Sequence, residues 1–424
     1  MAAKKGEIPA HVKKKEFYHP NTLHPVVYIL EGVEDSRKPS QFFRYSLTSV
    51  LFMTIAAVIC GAKDWPQIVV ASQGMANWLS GYIDMSGGIP CERTFKNLFN
   101  AIKPEAMEQA LRGIAALMRE KIPGEVVCFD GQTERRTAEK HLNLSGIHLL
   151  NAWSADNRIC IGQLKVDDKS NEITAMPELM ESLDLKNTII TADALNTQKT
   201  IVAKAIDCGA DYLLPVKGNQ GNLLEEITSA FNQLDIDIAK ADEHWKRAVS
   251  KAKEHRDDLR LQKLIKEGPS TCGASFWEST EKGHGRIETR SCMVMSAKDL
   301  PSKAEWKGLN TIARICRTRR IGDDEQSETT YYIGSLESNA ELVASVARRH
   351  WGVENTLHWR LDVVLRQDDS RYRDRTGARN LAVVRKIALN AVSKETSIKG
   401  GIATRQYAAS FNPAYRDKIL KNLV

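Results

Sequence analysis

The chain has 424 residues, enough for two or three domains and a sizeable core. Hydrophobic residues make up 42% and charged residues 27%, the proportions of a globular protein, which excludes a disordered or fibrous class. A net charge of +7 allows a polyanionic partner without requiring one.

Residues 1–40 are polar and basic, with Lys13, Lys14 and Lys15 in succession. They read as a basic tail, either solvated or serving as a phosphate-binding arm. The opening MAAKKGEIPAHVKKK lacks an apolar stretch, so it is not a signal peptide. The apolar run LTSVLFMTIAAVICGA at 47–62 is too short to span a bilayer and reads as a buried helix. Eight cysteines are scattered, no two closer than about twenty residues, with no CxxC or zinc-knuckle spacing. They read as reduced core thiols, consistent with a cytoplasmic location and no membrane partner.

From 41 to 122 the pattern is helical. A helix over 45–61 stops at Gly61, Asp64–Pro66 starts another, Gly87–Gly88 makes a break, and further helices begin at Thr94 and run over 104–121. The character changes after Pro123–Gly124. EVVCFDG (125–131), HLLNAWSA (148–155) and ICIGQLKV (159–166) read as strands, the last two forming a hairpin through Asp156–Asn157. A helix over 170–185 with Ser170 and Asn171 as caps precedes a strand at 187–194. A helix over 197–210 stopped by Gly209 leads to a strand at 210–220.

Residues 221–265 are helical and densely charged, either a solvated projection or a nucleic-acid-facing one. Gly268–Gly283 reads as loop, followed by strands at 286–295, 309–318 and 328–336. Helix returns over 339–362, and the charged connector RQDDSRYRDRTG leads to a helix over 378–395.

Two strands end in an acid: Asp130 closes VVCFD and Asp193 closes IITAD. Ligands gather at the carboxyl ends of parallel strands, although an acid there can also simply cap a turn. A third acid, Glu354, comes from the downstream segment RRHWGVENTLHWRLDVV. Three carboxylates from separate elements suit hard divalent cations, and a pair of such cations serves phosphodiester chemistry. The order of three strands, helix, strand, helix, strand fits an α/β, ribonuclease-H-like mixed sheet, with an insertion over 221–336 before the core resumes at 337–424. Glu354 sits among Trp351 and Trp359, where an uncompensated carboxylate is costly. The tryptophans read as core residues rather than base-stacking platforms. His350, Glu354 and His358 share a helix face at four-residue spacing, with Asp362 one turn on. That face could hold zinc, could simply pack, or could place His350 and His358 beside a metal carboxylate to touch DNA phosphate.

These motifs carry a resemblance. The Asp-Gly-Gln-Thr at Asp130, DDKSNEITAMPELM (167–180), TADALNTQK (191–199), DYLLPVKGNQG (211–221), HGRIETR (284–290), YYIGSL (331–336) and RHWGVENTLHWRLDVV (349–364) resemble the DDE transposases of bacterial insertion sequences. The likeness is nearest to the ISAs group, which includes the H-repeat-associated proteins, and runs over most of 40–395.

The resemblance implies an enzyme that binds terminal inverted repeats in double-stranded DNA, cleaves strands and transfers them, as a homodimer on DNA. Asp130, Asp193 and Glu354 would be the catalytic and metal-binding triad, with Mg²⁺ or Mn²⁺ as cofactor. Residues 41–122 would bind DNA ends, 123–220 would be the first part of the core, and the protein would be bacterial and nucleoid-associated. Lys217, Asn219, His284 and Arg286 would contact DNA. A nuclease without strand transfer and a domesticated DNA-binding protein remain as rivals.

The sequence departs from the family in places. Gln132 replaces the usual Lys after the first Asp-Gly, and Cys91, Glu92, Arg93 and Thr94 replace Ser-His-Asp-Thr. Ala347, His350 and Leu361 stand where related transposases carry Tyr, Arg and Lys, so the roles of that set do not transfer.

Overall fold

β-Branched and aromatic runs with no room for water on either side become the central strands of a sheet, and the computed structural model has nine. It describes residues 24–37, 43–139, 141, 144–167, 171–283 and 285–423. Lys13, Lys14, Lys15 and His284 lie outside the described residues. The strands are β1 (Glu125–Glu134), β2 (Ile147–Ser154), β3 (Ile159–Lys165), β4 (Thr188–Ala192), β5 (Asp211–Val216), β6 (Ser275–Gly283), β7 (Arg286–Ser296), β8 (Thr311–Ile321) and β9 (Asp324–Gly334). Their order is β3-β2-β1-β4-β5-β9-β8-β7-β6. Strand β2 pairs antiparallel with β3, while β1, β4 and β5 run parallel. This is the ribonuclease-H-like mixed sheet expected from the order of elements. The chain divides into two compact units, residues 1–122, 130–183 and 352–424 in one, and 123–129 and 184–351 in the other.

The first unit is mostly helical. Helix α1 (Pro25–Glu31) buries Val26, Val27 and Leu30 within the stretch read as a tail. In α2 (Leu47–Ile59) every residue is buried, and Ser46 caps it by accepting from the Ser49 N–H. No described helix is long and apolar enough to cross a membrane. Helix α3 (Trp65–Gly74) starts under an Asp64 cap with Pro66 in its first turn. After the short α4 (Ala76–Leu79), α5 (Glu92–Ala101) and α6 (Pro104–Met118) are amphipathic, burying Phe95, Leu98 and Phe99, and Met107, Leu111 and Ile114.

Helix α7 (Glu172–Glu181) follows its Asn171 cap. The apolar run predicted over 378–395 becomes α12 (Arg375–Lys394), which packs on α2, α5, α6 and β3 and is the hub of this unit. Its Asn380 amide donates to the carbonyls of Phe99 and Ile102, satisfying the open end of α5. Two further helices, α13 (Ile402–Phe411) and α14 (Pro413–Lys421), were not foreseen, because their apolar residues are sparse and broken by polar ones.

In the second unit, α8 (Lys199–Asp207) links β4 to β5 and ends at Gly209, whose φ of +72° is readily reached only by glycine. Helix α9 (Gly221–Glu254) has 34 residues and is about 51 Å long. It buries Leu223, Ile227, Phe231 and Leu234 in its first half, and Asp235 receives a two-pronged bond from Arg314, 2.7 Å on each arm. After a turn, α10 (Asp258–Glu267) folds back, held by the Trp245 Nε1–H on the Leu264 carbonyl. No residue of α10 is buried.

Gly268–Gly283, read as loop, contains β6 over its second half. Its polar sequence hid the strand, since an edge strand facing water needs only one ladder, here the nine pairs with β7. Helix α11 (Ala340–Gly352) begins as expected, but the regular helix predicted through Asp362 gives way to π-helical turns at Val353–His358 and Arg360–Val364.

Candidate active site

Strand β1 sorts its side chains by parity, because successive residues point to opposite faces. On one face lie Asp130, Gln132 and Glu134, all buried. Asp130 Oδ2 is 3.3 Å from His358 Nδ1. The Gln132 amide donates to Asp362 Oδ1 at 2.8 Å, and the Gln367 amide donates to Glu134 Oε1 at 2.9 Å. The Arg135 N–H adds a bond to Asp368 Oδ1. This part of β1 is therefore stitched to residues 358–368 by four contacts in register. Burial pushes the Glu134 carboxyl up to about 7, opposed by the cations of Arg385 and Lys386.

The other face explains the rest of the Asp-Gly-Gln-Thr motif. Thr133 Oγ1 lies 2.7 Å from His148 Nδ1, and His148 Nε2 lies 2.9 Å from Glu172 Oε1. A Cβ at Gly131 would overlap Glu172 Oε1 and crowd His148 Nε2. A side chain there would have to push the Glu172 carboxylate and the His148 ring aside and so disturb their pairing. The Glu of KSNEITA and the first His of HLLNAW thus serve the strand that carries Asp130.

Asp193 closes β4 and is exposed. In the parallel β1–β4 ladder Phe129 pairs with Ala192, and Asp130 and Asp193 are the next residues along each strand. Asp193 Oδ1 is 3.3 Å from His350 Nε2. His350 Nδ1 is buried with no hydrogen-bond partner among the described residues. The Asn219 amide donates to the Ala194 carbonyl at 2.8 Å, so it braces the turn behind Asp193. Lys217 follows β5 and is exposed. Arg286 pairs with Ile321 at the far end of β8, ten residues from Thr311 and so roughly 33 Å along the strand. It also lies 3.9 Å from Glu288, which is gripped by Arg290 and Arg317.

Glu354 is exposed, not enclosed by aromatics. Trp351 and Trp359, expected in the core, are 49% and 55% exposed. The cause lies in the helix itself. Val353, Leu357, Leu361 and Leu365 are all buried at strict four-residue spacing. On an α-helix that spacing drifts about 40° per step, which would carry Leu365 off the core face. The wider π turns absorb the drift and keep Val353 and the three leucines inward, while Trp351 and Trp359, two residues from that row, fall on the opposite side of the helix. Of the bonds that end this stretch, Leu365 N–H to Arg360 O reaches back five residues, as in a π turn, and Gln367 N–H to Leu361 O reaches back six. The sequence signal was the unbroken four-residue repeat.

The chemistry of the donors fits a hard divalent cation, since Asp130, Asp193 and Glu354 offer only carboxylate oxygens. Among the described residues no three His, Cys, Asp or Glu side chains are grouped to hold a metal ion. Instead each aspartate carries one imidazole at 3.3 Å, and Glu354 stands four residues from either histidine.

Comparison with known proteins adds to this geometry. The family described as "Transposase DDE domain" matches residues 122–391, and a "DDE_Tnp_1-associated" family matches residues 27–114. "Putative transposase YncI" of Escherichia coli O157:H7 is 32% identical over 89% of this chain and 90% of its own length. "H repeat-associated putative transposase YhhI" of Escherichia coli strain K12 is 32% identical over 89% of this chain and 92% of its own. Among solved structures, a cryo-EM piggyBac transposase synaptic complex with hairpin DNA aligns with 95% of this chain and 80% of that one, at 9% identity and a TM-score of 0.39.

Proposed function

This chain belongs to the DDE transposase family, and from that premise we propose that it binds the terminal inverted repeats of an insertion sequence, cleaves DNA strands there and joins them to a target. The observation that carries the reading is the β1–β4 register, which sets Asp130 and Asp193 one residue beyond a paired position on neighbouring parallel strands. Asp130, Asp193 and Glu354 are the residues that would hold Mg²⁺ or Mn²⁺. When bound, the ions supply the charge that activates an attacking oxygen and stabilises a leaving one.

The chain's own residues prepare that chemistry. His358 and His350 orient the two aspartates. The bonds from Gln132 and Gln367 tie β1 to the π-helical segment that carries Glu354. The acids supply no nucleophile of their own, so water serves for cleavage and a DNA 3′-hydroxyl for joining. Lys217, Arg286 and His284 remain proposed DNA contacts, and a homodimer on DNA is proposed with them.

The test is a strand-transfer assay with pre-cut element ends, a supercoiled target and Mg²⁺. Joined end–target products are expected. Cleavage of uncut ends with no joining from pre-cut ones would make the protein a nuclease, and binding with neither reaction would make it a DNA-binding scaffold.

A further inference from the structure

The charged connector after the π-helical segment has no part in the reading above, yet it lines a cavity of about 620 Å³. Five cationic side chains reach it, from Lys63, Lys96, Arg136, Arg366 and Arg371. Lys96 is paired with Glu92, while Arg136 and Arg366 share the single carboxylate of Asp369 at 3.3 and 4.0 Å. Asp64 is a third acid in the lining, so five cations face three carboxylates and the positive charge is only partly neutralised. Trp65 forms part of the cavity wall and is 4% exposed.

Two further observations set this cavity apart from an ordinary surface cleft. Arg366, one residue past the Leu365 cap, has φ +52°, the left-handed turn that closes the π-helical stretch and sets where the connector starts. The connector is also anchored. Gln367 is bonded to Glu134 and Asp368 to the Arg135 N–H, the continuation of the strand that carries Asp130. The cationic wall is thus a fixed extension of β1.

We propose that this groove binds the phosphodiester backbone of a DNA strand, with Arg366, Arg371, Arg136 and Lys63 neutralising phosphates. This rests on the transposase reading and adds a second contact region to it. Asp369 acts as a brake on binding, since it occupies two of the arginines.

The experiment measures affinity for a labelled duplex carrying one element end over a salt series, with thermal unfolding of each protein recorded alongside. Arg366→Gln/Arg371→Gln should lower the slope of log affinity against log salt by about 1.8, because each lost phosphate contact removes about 0.9. Asp369→Asn should tighten binding, a gain that misfolding cannot mimic. An unchanged slope in the double variant, or weaker binding in Asp369→Asn, overturns the proposal. Inorganic pyrophosphate protecting the wild type against unfolding but not the double variant, with DNA slopes equal, would assign the groove to a free anion and overturn it too. Failure of the wild type to bind DNA would remove the transposase reading itself, whereas wild-type binding with equal slopes removes only the groove.

Discussion

Asp193→Asn is expected to lower strand cleavage by at least about 10³-fold while leaving DNA affinity equal or higher. The substitution keeps the shape of the side chain and removes its charge. A metal site at the reacting phosphate is worth several kcal/mol in the transition state, and each 1.36 kcal/mol is a factor of ten in rate. Losing one of three anionic ligands should forfeit most of that. Asp193 is the cleanest of the three to test, because it is exposed and its neutralisation leaves no buried charge behind. Asp130 is 8% exposed and pressed by His358, so its variants also disturb the strand. End-labelled DNA on a denaturing gel reads the result. Cleavage within a few-fold of wild type would remove Asp193 from the catalytic set.

The second large effect is on stability. Arg379→Ala is expected to destabilise the helical unit by about 3–5 kcal/mol. Arg379 grips Glu108 with two bonds of 2.7 and 2.8 Å, and Glu108 is 2% exposed. Burial raises the Glu108 carboxyl above its usual value even with the guanidinium beside it. Without Arg379 the carboxylate is stranded in the core beside the Gln163 amide at 3.5 Å.

The sign with pH follows. A carboxyl whose folded value is raised favours the fold while protonated and loses that favour as pH climbs through the raised value. The cost of Arg379→Ala should therefore be greatest at neutral pH and above, and shrink toward the ordinary glutamate range. Replacing both partners with Met should recover most of the loss, since it removes the buried charge together with its mate. Denaturant unfolding at several pH values checks this, and a single-variant cost below about 1 kcal/mol would show that water reaches Glu108.

Much of the sheet was legible because its central strands are fully buried. VVCFD and IITA are continuous apolar runs, and only the parallel interior of a sheet asks for that on both faces. The acids at their ends were legible for the same reason, as the first polar residue after each run. What escaped the sequence depends on partners remote in the chain. Gly131 looks like an ordinary turn residue until His148 and Glu172 are seen against it. Trp351 and Trp359 each stand two residues from a buried aliphatic, so a helical wheel turns them outward, against the usual preference of aromatics for the core. Strand β6 was hidden by a polar sequence that an edge position tolerates. The charged connector read as mere linkage, since nothing in RQDDSRYRDRTG announces that Gln367 is buried on Glu134.

The central claim is that the carboxylate at 193 is itself a metal ligand, together with those at 130 and 354. The most direct measurement is cleavage by Asp193→Cys in Mg²⁺ and in Mn²⁺. A thiolate is a poor ligand for the hard Mg²⁺ and a better one for Mn²⁺. Activity lost in Mg²⁺ and restored in Mn²⁺, with no such recovery for Asp193→Ala, is the predicted result. Equal loss of activity in both ions for the Cys and Ala variants, or full activity of the Cys variant in Mg²⁺, would contradict it.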